Sequence, residues 1–298
     1  MTEAGPADEA GFKSGYVALI GQPNAGKSTL LNRLLEYPVA IVAPRPQTTR
    51  HRILGIHNGD GFQALWLDTP GVLAPKYRLQ EMMRREIGQA LRDADVVVLL
   101  LDGSRPADWD ESLRAVEGRG ALVAVNKVDL VHKPELLPMA RRLSERGYGS
   151  VLMLSALRGD GVRDLEQAVV DSLPAGAPFY PTDMVSDRPE RFHVAEMVRE
   201  AVFNRYGEEI PYSCTVAVEE FKEREGRKDF IRAVVYVERD SQRSIVIGKG
   251  GRALKEVGAR ARGRIERFLG RPVYLELWVK VAEAWRQDER FLRDNVYR

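Results

Sequence analysis

The chain has 298 residues, 44% of them hydrophobic and 30% charged, with a formal net charge of +2. That balance excludes a disordered or fibrous chain, and the length accommodates about two domains of ordinary size. A single cysteine, Cys214, excludes an intramolecular disulfide, and the four histidines, His51, His57, His132 and His193, are scattered without metal-ligand spacing.

Residues 1–14 open polar and acidic and read as a flexible N-terminus. A signal peptide would need a basic start and an apolar stretch. The longest strongly apolar run, Val96–Leu101, is far shorter than the ~20 residues of a membrane span. No transmembrane segment is expected, and the cytoplasm is the default location.

From 15 to 173 short apolar runs alternate with amphipathic stretches. The runs are Tyr16–Ile20, Ala64–Leu67, Val96–Leu101, Ala121–Val125 and Val151–Leu154. Helix-like stretches lie near Lys27–Leu35, Leu79–Leu91, Trp109–Glu117, Glu135–Arg146 and Val162–Ser172. This alternation predicts an α/β domain with a doubly wound, mostly parallel sheet. Arg52–His57 and Phe62–Leu67, joined at Asn58–Gly61, predict a hairpin and hence one antiparallel strand. Segment 174–189 has several prolines and no helical period, and reads as a linker. Region 190–298 predicts a second, α+β domain: a helix at Glu190–Tyr206, strands at Ser213–Phe221 and Phe230–Glu238, a glycine loop, a basic helix to Leu269, a strand at Val273–Val281 and a last helix.

The first domain carries a nucleotide motif. Gly21, Gln22, Pro23, Asn24, Ala25, Gly26, Lys27 and Ser28, with Thr29 next, place two glycines, a lysine and a serine at phosphate-loop spacing between a strand and a helix. Glycines let backbone N–H groups curl around phosphate oxygens, and the helix N-terminus adds partial positive charge. Lys27 would bridge the β- and γ-phosphates and Ser28 would ligate magnesium. Asn126, Lys127, Val128 and Asp129 directly follow a strand, where such sheets bind ligands. The Asp129 carboxylate is acceptor-only and suits the N–H edge of guanine, which adenine lacks. Asp68, Thr69, Pro70 and Gly71 close the hairpin's second strand. Asp68 would reach magnesium, and the Gly71 N–H would sense the γ-phosphate. Ser155 and Ala156 are weak alone and count through their place in the order, Ala156 N–H facing the guanine oxygen. In the loop between Val39 and Arg50, Thr49 by preference, and Thr48 as the alternative, would complete the magnesium site. Lys27, Thr49 and Gly71 are therefore the candidate catalytic groups. Val72 stands where many GTPases carry a water-orienting glutamine and has no polar group for that task.

The second domain is unevenly charged. Between Arg239 and Arg271 lie ten Lys/Arg and three Asp/Glu, a balance that suits a polyanion. Ile247, Gly248, Lys249, Gly250 and Gly251 precede the basic helix, which starts with Arg252 and Lys255. A G-x-x-G turn at a helix start allows close approach of a nucleic-acid backbone, as in KH domains. Trp278 reads as a core residue. Trp285 fits either core or a stacking platform.

The motifs G-Q-P-N-A-G-K-S, Q-T-T-R-H-R, D-T-P-G, N-K-V-D and S-A-L, with E-L-W-V-K-V-A-E-A-W-R near the end, closely resemble the bacterial Era family of P-loop GTPases with a C-terminal type II KH domain. The resemblance covers all but about the first dozen residues. It implies hydrolysis of GTP to GDP with Mg2+, weak nucleotide binding with fast exchange, and a potassium ion held with help from Asn24; Val72 adds the expectation of slow turnover by the isolated protein. It also implies binding to the 3′ end of 16S rRNA, a role in small ribosomal subunit assembly and rRNA processing, and peripheral membrane association, on which the residues themselves are silent. A monomer is the expectation. The alternatives are a related GTPase acting on tRNA modification or the large subunit, and an RNA-binding assembly factor that uses GTP mainly as a latch.

Overall fold

The structure, a computed structural model, describes residues 11–297. The flexible N-terminus expected at 1–14 lies outside the described residues for 1–10, whereas Lys13 and Ser14 already belong to the first strand. The chain divides into two units. The first runs to Ala40 and includes Thr49–Ala74 and Met83–Asp187; the second comprises Ile41–Thr48, Pro75–Met82 and the chain from Arg188 onward.

The first unit follows the order β1 (Lys13–Ile20), α1 (Lys27–Leu34), β2 (Ile53–Gly59), β3 (Phe62–Asp68), α2 (Arg78–Asp93), β4 (Val96–Asp102), α3 (Asp110–Ala115), β5 (Ala121–Asn126), α4 (Lys133–Glu145), β6 (Val151–Met153) and α5 (Val162–Ser172). The first residues of α2 count with the second unit. The sheet order is β2-β3-β1-β4-β5-β6, parallel throughout except for β2, which pairs antiparallel with β3 as the hairpin predicts. Every residue of β4 is buried, because a central parallel strand is covered on both faces. Ala18 and Ile20 pack with Leu99 and Leu101 and with Ile87, Ala90 and Leu91 of α2. Burying each of the leucine and isoleucine side chains contributes about 1.5–3 kcal/mol.

Because β1, β3, β5 and β6 run parallel, the loops that follow them emerge at one edge of the sheet. The phosphate loop, Asp68–Gly71, Asn126–Asp129 and Ser155–Ala156 sit on those loops, while Thr49 lies on the loop that enters the antiparallel strand β2. Register sharpens the placement: Leu19 lies opposite Asp68, and Asp102 opposite Asn126.

The segment expected to be a linker is built into the first unit as far as Asp187. The buried Gln63 amide accepts from the N–H groups of Phe179 and Tyr180 and donates to the Tyr180 carbonyl. Ile56 N–H donates to Val185 O at 3.0 Å, and the Ser186 hydroxyl to Leu54 O at 2.7 Å. The prolines keep this stretch irregular without releasing it from the sheet.

The second unit contains α6 (Glu190–Arg205), α7 (Ile210–Ser213), β7 (Thr215–Lys222), β8 (Asp229–Val237), α8 (Asp240–Ile247), α9 (Arg252–Leu269), β9 (Val273–Val281) and α10 (Glu289–Asn295). The three strands pair β7-β8-β9, antiparallel then parallel. On α9, Ala253, Val257, Ala261 and Ile265 recur every four residues and form its buried stripe. With Val194, Val198 and Val202 of α6 they cover one face of the sheet, meeting Ile231, Ala233, Val235, Val273 and Val279. Ile245–Ile247 forms the last turn of α8.

Trp278 departs from expectation. Its side chain is 51% exposed. Alternation along β9 turns Val273, Leu275, Leu277 and Val279 toward the helices, which leaves Tyr274 and Trp278 on the opposite face. Trp285 is the core residue: it is fully buried, and its indole N–H donates to Ser213 O at 2.9 Å.

Candidate functional site

The phosphate loop leaves β1 and turns into α1 through Gly26, whose φ of 98° only glycine adopts without strain. A Cβ there would stand 2.2 Å from Asn126 Nδ2. Gly71 is equally confined, since its Cβ would meet the Pro23 backbone at 2.6 Å. Lys27 is buried, and its ammonium donates to the carbonyls of Gly21 at 2.9 Å and Gln22 at 3.1 Å, inside the curl of the loop. Burial lowers its pKa to about 8, partly opposed by the Asp68 charge. Pro23, Asn24, Ala25 and Thr29 complete the loop and the first turn of α1; Asn24 has a left-handed φ of 64°.

Ser28 donates to Asp68 Oδ2 at 2.6 Å and lies 2.9 Å from the Thr49 hydroxyl, which is itself 3.4 Å from Asp68. Thr48 turns away and donates to Arg45 O. Of the two threonines, Thr49 is therefore the one beside Ser28 and Asp68. Burial raises the Asp68 carboxyl to about 6, against the pull of Lys27 and the two hydroxyls. Asp68 Oδ1 is buried and has no hydrogen-bond partner among the described residues. Two hydroxyls and a carboxylate with an orphaned oxygen form a hard donor set that fits a divalent cation. No cluster of three or more His, Cys, Asp or Glu side chains among the described residues offers a rival metal site. Thr69 donates to Leu19 O at 2.6 Å, and Val72 N–H to Gly21 O at 3.0 Å, so the stretch 68–72, with Pro70 and Gly71, lies along the phosphate loop. The Val72 side chain packs toward the apolar core.

Asn126 ties three loops together. Its Nδ2 donates to Ala25 O at 2.7 Å, and its Oδ1 accepts from Ala156 N–H at 2.9 Å. Asp129 accepts the Ser155 hydroxyl at 2.7 Å. Lys127 adopts a left-handed φ of 63°, and its ammonium meets Asp102 Oδ2 at 2.6 Å. Asp102 was not singled out from the sequence. The signal was there, an acidic residue ending an apolar strand, but its use depends on the β4–β5 register. Arg33 of α1 was also missed; it donates to the carbonyls of Ala156 and Leu157. In the second unit, α6 carries charges that no sequence pattern flagged. Buried Arg199 donates to Thr48 O and pairs with Glu196, while Glu200 accepts from Val42 N–H and pairs with Arg264 of α9. Segment 41–48 is thereby held by α6.

The glycine loop joins α8 to α9. Gly248, Gly250 and Gly251 all have positive φ. A Cβ at Gly250 or Gly251 would meet nothing within 4 Å, so the outer side of the loop is open to an approaching chain. Ile247 is half-buried at its base, and Lys249, Arg252 and Lys255 are exposed around it.

Comparison with known proteins agrees with both halves. A family model described as 50S ribosome-binding GTPase matches residues 16–127, and a KH domain model matches 209–286. GTPase Era of Geotalea daltonii is 44% identical over 97% of this chain and 99% of its own. The GTPase ERA-like chloroplastic protein of Arabidopsis thaliana is 43% identical over 100% of this chain and 71% of its own. Among solved structures, Era in complex with MgGDPNP and nucleotides 1506–1542 of 16S ribosomal RNA is 37% identical, with a TM-score of 0.92 over 96% of this chain and 99% of that one. An Aquifex aeolicus Era variant bound to GDP·AlF4− is 38% identical at the same TM-score and coverage. Identity of this level over nearly the full length, carrying a phosphate loop, the N-K-V-D loop and a glycine-loop KH domain in one order, leaves one assignment: the chain belongs to the Era family of GTPases.

Proposed function

We propose that the protein is a GTP-hydrolysing switch that binds the 3′ end of 16S rRNA and acts in small ribosomal subunit assembly and rRNA processing, in the cytoplasm and as a monomer. The observation that carries this reading is the full-length match to an Era chain solved with MgGDPNP and a 16S rRNA fragment. The residues themselves support the chemistry. Asp129 takes the guanine N–H edge, Lys127 covers a face of the base, and Ala156 N–H meets the guanine oxygen. Asn126 holds the base loops to the phosphate loop. Lys27 and the backbone N–H groups of the phosphate loop take the phosphate oxygens, and Gly71 N–H meets the γ-phosphate. Ser28, Thr49 and Asp68 would hold Mg2+, which offsets charge on the phosphates when bound. Asn24 is the residue for a potassium ion. Val72 supplies no water-orienting group, so hydrolysis depends on help from a cation or a partner.

In the second unit the loop Ile247–Gly251, with Arg252 and Lys255, takes the RNA backbone. The test is a Lys249→Asp, Gly250→Asp double variant. Two carboxylates replace a cation and a glycine where phosphates should pass, so affinity for RNA of nucleotides 1506–1542 should collapse while basal GTP hydrolysis survives. Unchanged RNA affinity with an unchanged salt dependence would refute the assignment.

A further inference from the structure

Among the described residues of the second unit, one face of the sheet carries no helix where its aromatic residues cluster. Phe230, Arg232 and Val234 of β8 sit opposite Tyr274, Glu276 and Trp278 of β9, all on the side away from α6 and α9. The Phe230 and Tyr274 rings stack at 5.9 Å and 15°. The guanidinium groups of Arg224 and Arg232 lie over Phe230 at 5.1 and 5.3 Å. Tyr274 is 58% and Trp278 51% exposed, far from the rule for aromatic rings of this size. Near the other end of this face, Tyr236 is met edge-on by Phe291 of α10, and Val234 is fully buried, while Tyr274 and Trp278 stay more than half exposed.

Two features decide what this face can bind. First, its carboxylates are spoken for. Glu276 pairs with Arg232, Glu220 with Arg232 and Lys222, and Glu219 with Lys280. A polyanion passing over the face meets no uncompensated negative charge. Secondly, the polar edge of Trp278 is already used, because its indole N–H donates to Glu276 at 2.9 Å. What the ring still offers is its flat face. Rings spaced along an open sheet, flanked by planar guanidinium groups, are the platform on which unpaired bases stack in sheet-based RNA readers. Tyr274 and Trp278 lie four residues apart on β9, about 13 Å, room for successive splayed bases.

The location is continuous with the glycine loop. α8, which ends at that loop and exposes Ile245, packs against β9, and β9 is an edge strand, paired among the described residues with β8 alone. We propose that an RNA strand leaving the glycine loop crosses the free edge of β9 and stacks unpaired bases on Trp278 and Tyr274, giving the protein a second RNA-binding surface. This rests on the RNA-binding reading above, and the experiment separates the two.

RNA of nucleotides 1506–1542, and versions shortened by about five nucleotides at one end or the other, are titrated against the wild type, the Trp278→Ala, Tyr274→Ala double variant, Trp278→Phe and the glycine-loop variant. The alanine pair should weaken the full RNA roughly 30- to 20,000-fold, the loss of two stacked bases, with an unchanged salt slope. It should have little effect on one of the shortened RNAs, and Trp278→Phe should restore most of the loss. Trp66, Trp109 and Trp285 are fully buried. Full-length RNA should therefore shield the wild-type fluorescence from acrylamide through Trp278. If the alanine pair binds the full RNA as the wild type does and no shielding occurs, the proposal falls, while loss of binding in the glycine-loop variant keeps the broader reading intact. Weakened binding of the alanine pair to small ribosomal subunits, with RNA affinity unchanged, would assign the face to a protein and also overturn the proposal.

Discussion

Replacing Asp129 with asparagine tests the base site, and the structure separates the effect on binding from the effect on folding. Asp129 Oδ1 accepts the Ser155 hydroxyl at 2.7 Å, and Ser155 Oγ in turn accepts from Arg158 N–H at 3.1 Å. An asparagine carbonyl can keep that bond, so the loop should hold and stability should change by no more than about 1 kcal/mol. The guanine edge is different. Two donors that met a carboxylate would now face an amide presenting its own N–H groups. Each hydrogen bond to a charged acceptor is worth about 1.5–3 kcal/mol, so losing two costs about 3–6 kcal/mol, or roughly 10²- to 10⁴-fold in affinity. Xanthine carries an oxygen where guanine has its amino group, so the variant should recover binding to xanthosine triphosphate. The assay is equilibrium titration with fluorescent GTP and competition by each nucleotide, with the thermal midpoint measured in parallel. A variant that keeps its GTP affinity and gains none for the xanthine nucleotide removes Asp129 from the base site. Equal losses for both nucleotides, with a large drop in thermal midpoint, would mean the substitution had disrupted the loop.

Three further outcomes follow from particular side chains. With Val72 at the water-orienting position, turnover by the purified protein should be slow and should accelerate with potassium or with RNA of nucleotides 1506–1542; fast turnover indifferent to both would contradict this. Trp285→Ala should cost the second unit about 3–5 kcal/mol in urea unfolding, whereas Trp278→Ala should stay within about 0.5 kcal/mol; equal losses would refute the contrast between core and surface. Burial pushes the Asp229 carboxyl up, but the Arg271 side chain, the Arg224 N–H and the Arg271 charge more than offset it and hold it below the usual carboxylate range. Its contribution to stability is therefore complete above about pH 4 and is lost as pH falls through the lowered folded value. Asp229→Asn should flatten the acid limb of a pH–stability curve, and an unchanged limb would rule the group out.

The parts of the fold that the sequence made legible are those whose signal is local. The unbroken run Val96–Leu101 is short and valine-rich, which favours a strand covered on both faces over a buried helix, and a glycine loop followed by Lys27 fixes the β1–α1 turn. Asn126 and Asp68 were found because each ends a strand. What stayed hidden depends on which strand lies beside which. Asp102 meets Lys127 only because Asp102 and Asn126 share a register position. Gln63 looks like any polar residue in a hairpin until the proline segment is laid beside it. Trp278 reads as core by residue type, yet its place in the two-residue period of β9 sends it outward. Arg199 and Glu200 are buried through partners in segment 41–48, far off in sequence.

The two ends of the nucleotide site are made of different materials. At the phosphate end, recognition is backbone geometry: a methyl group at Gly26 would strike the Asn126 amide, and one at Gly71 the Pro23 backbone. Each of those residues belongs to another loop, so no single substitution there is neutral and any change needs two loops to move together. At the base end, the proposed specificity rests on the Asp129 side chain, and an amide oxygen there could accept the Ser155 hydroxyl as the carboxylate does. Point mutation can therefore explore new bases one step at a time but cannot explore new ways of holding a triphosphate. A lineage built on this sheet edge is free to change which nucleotide it reads and is bound to keep reading nucleotides.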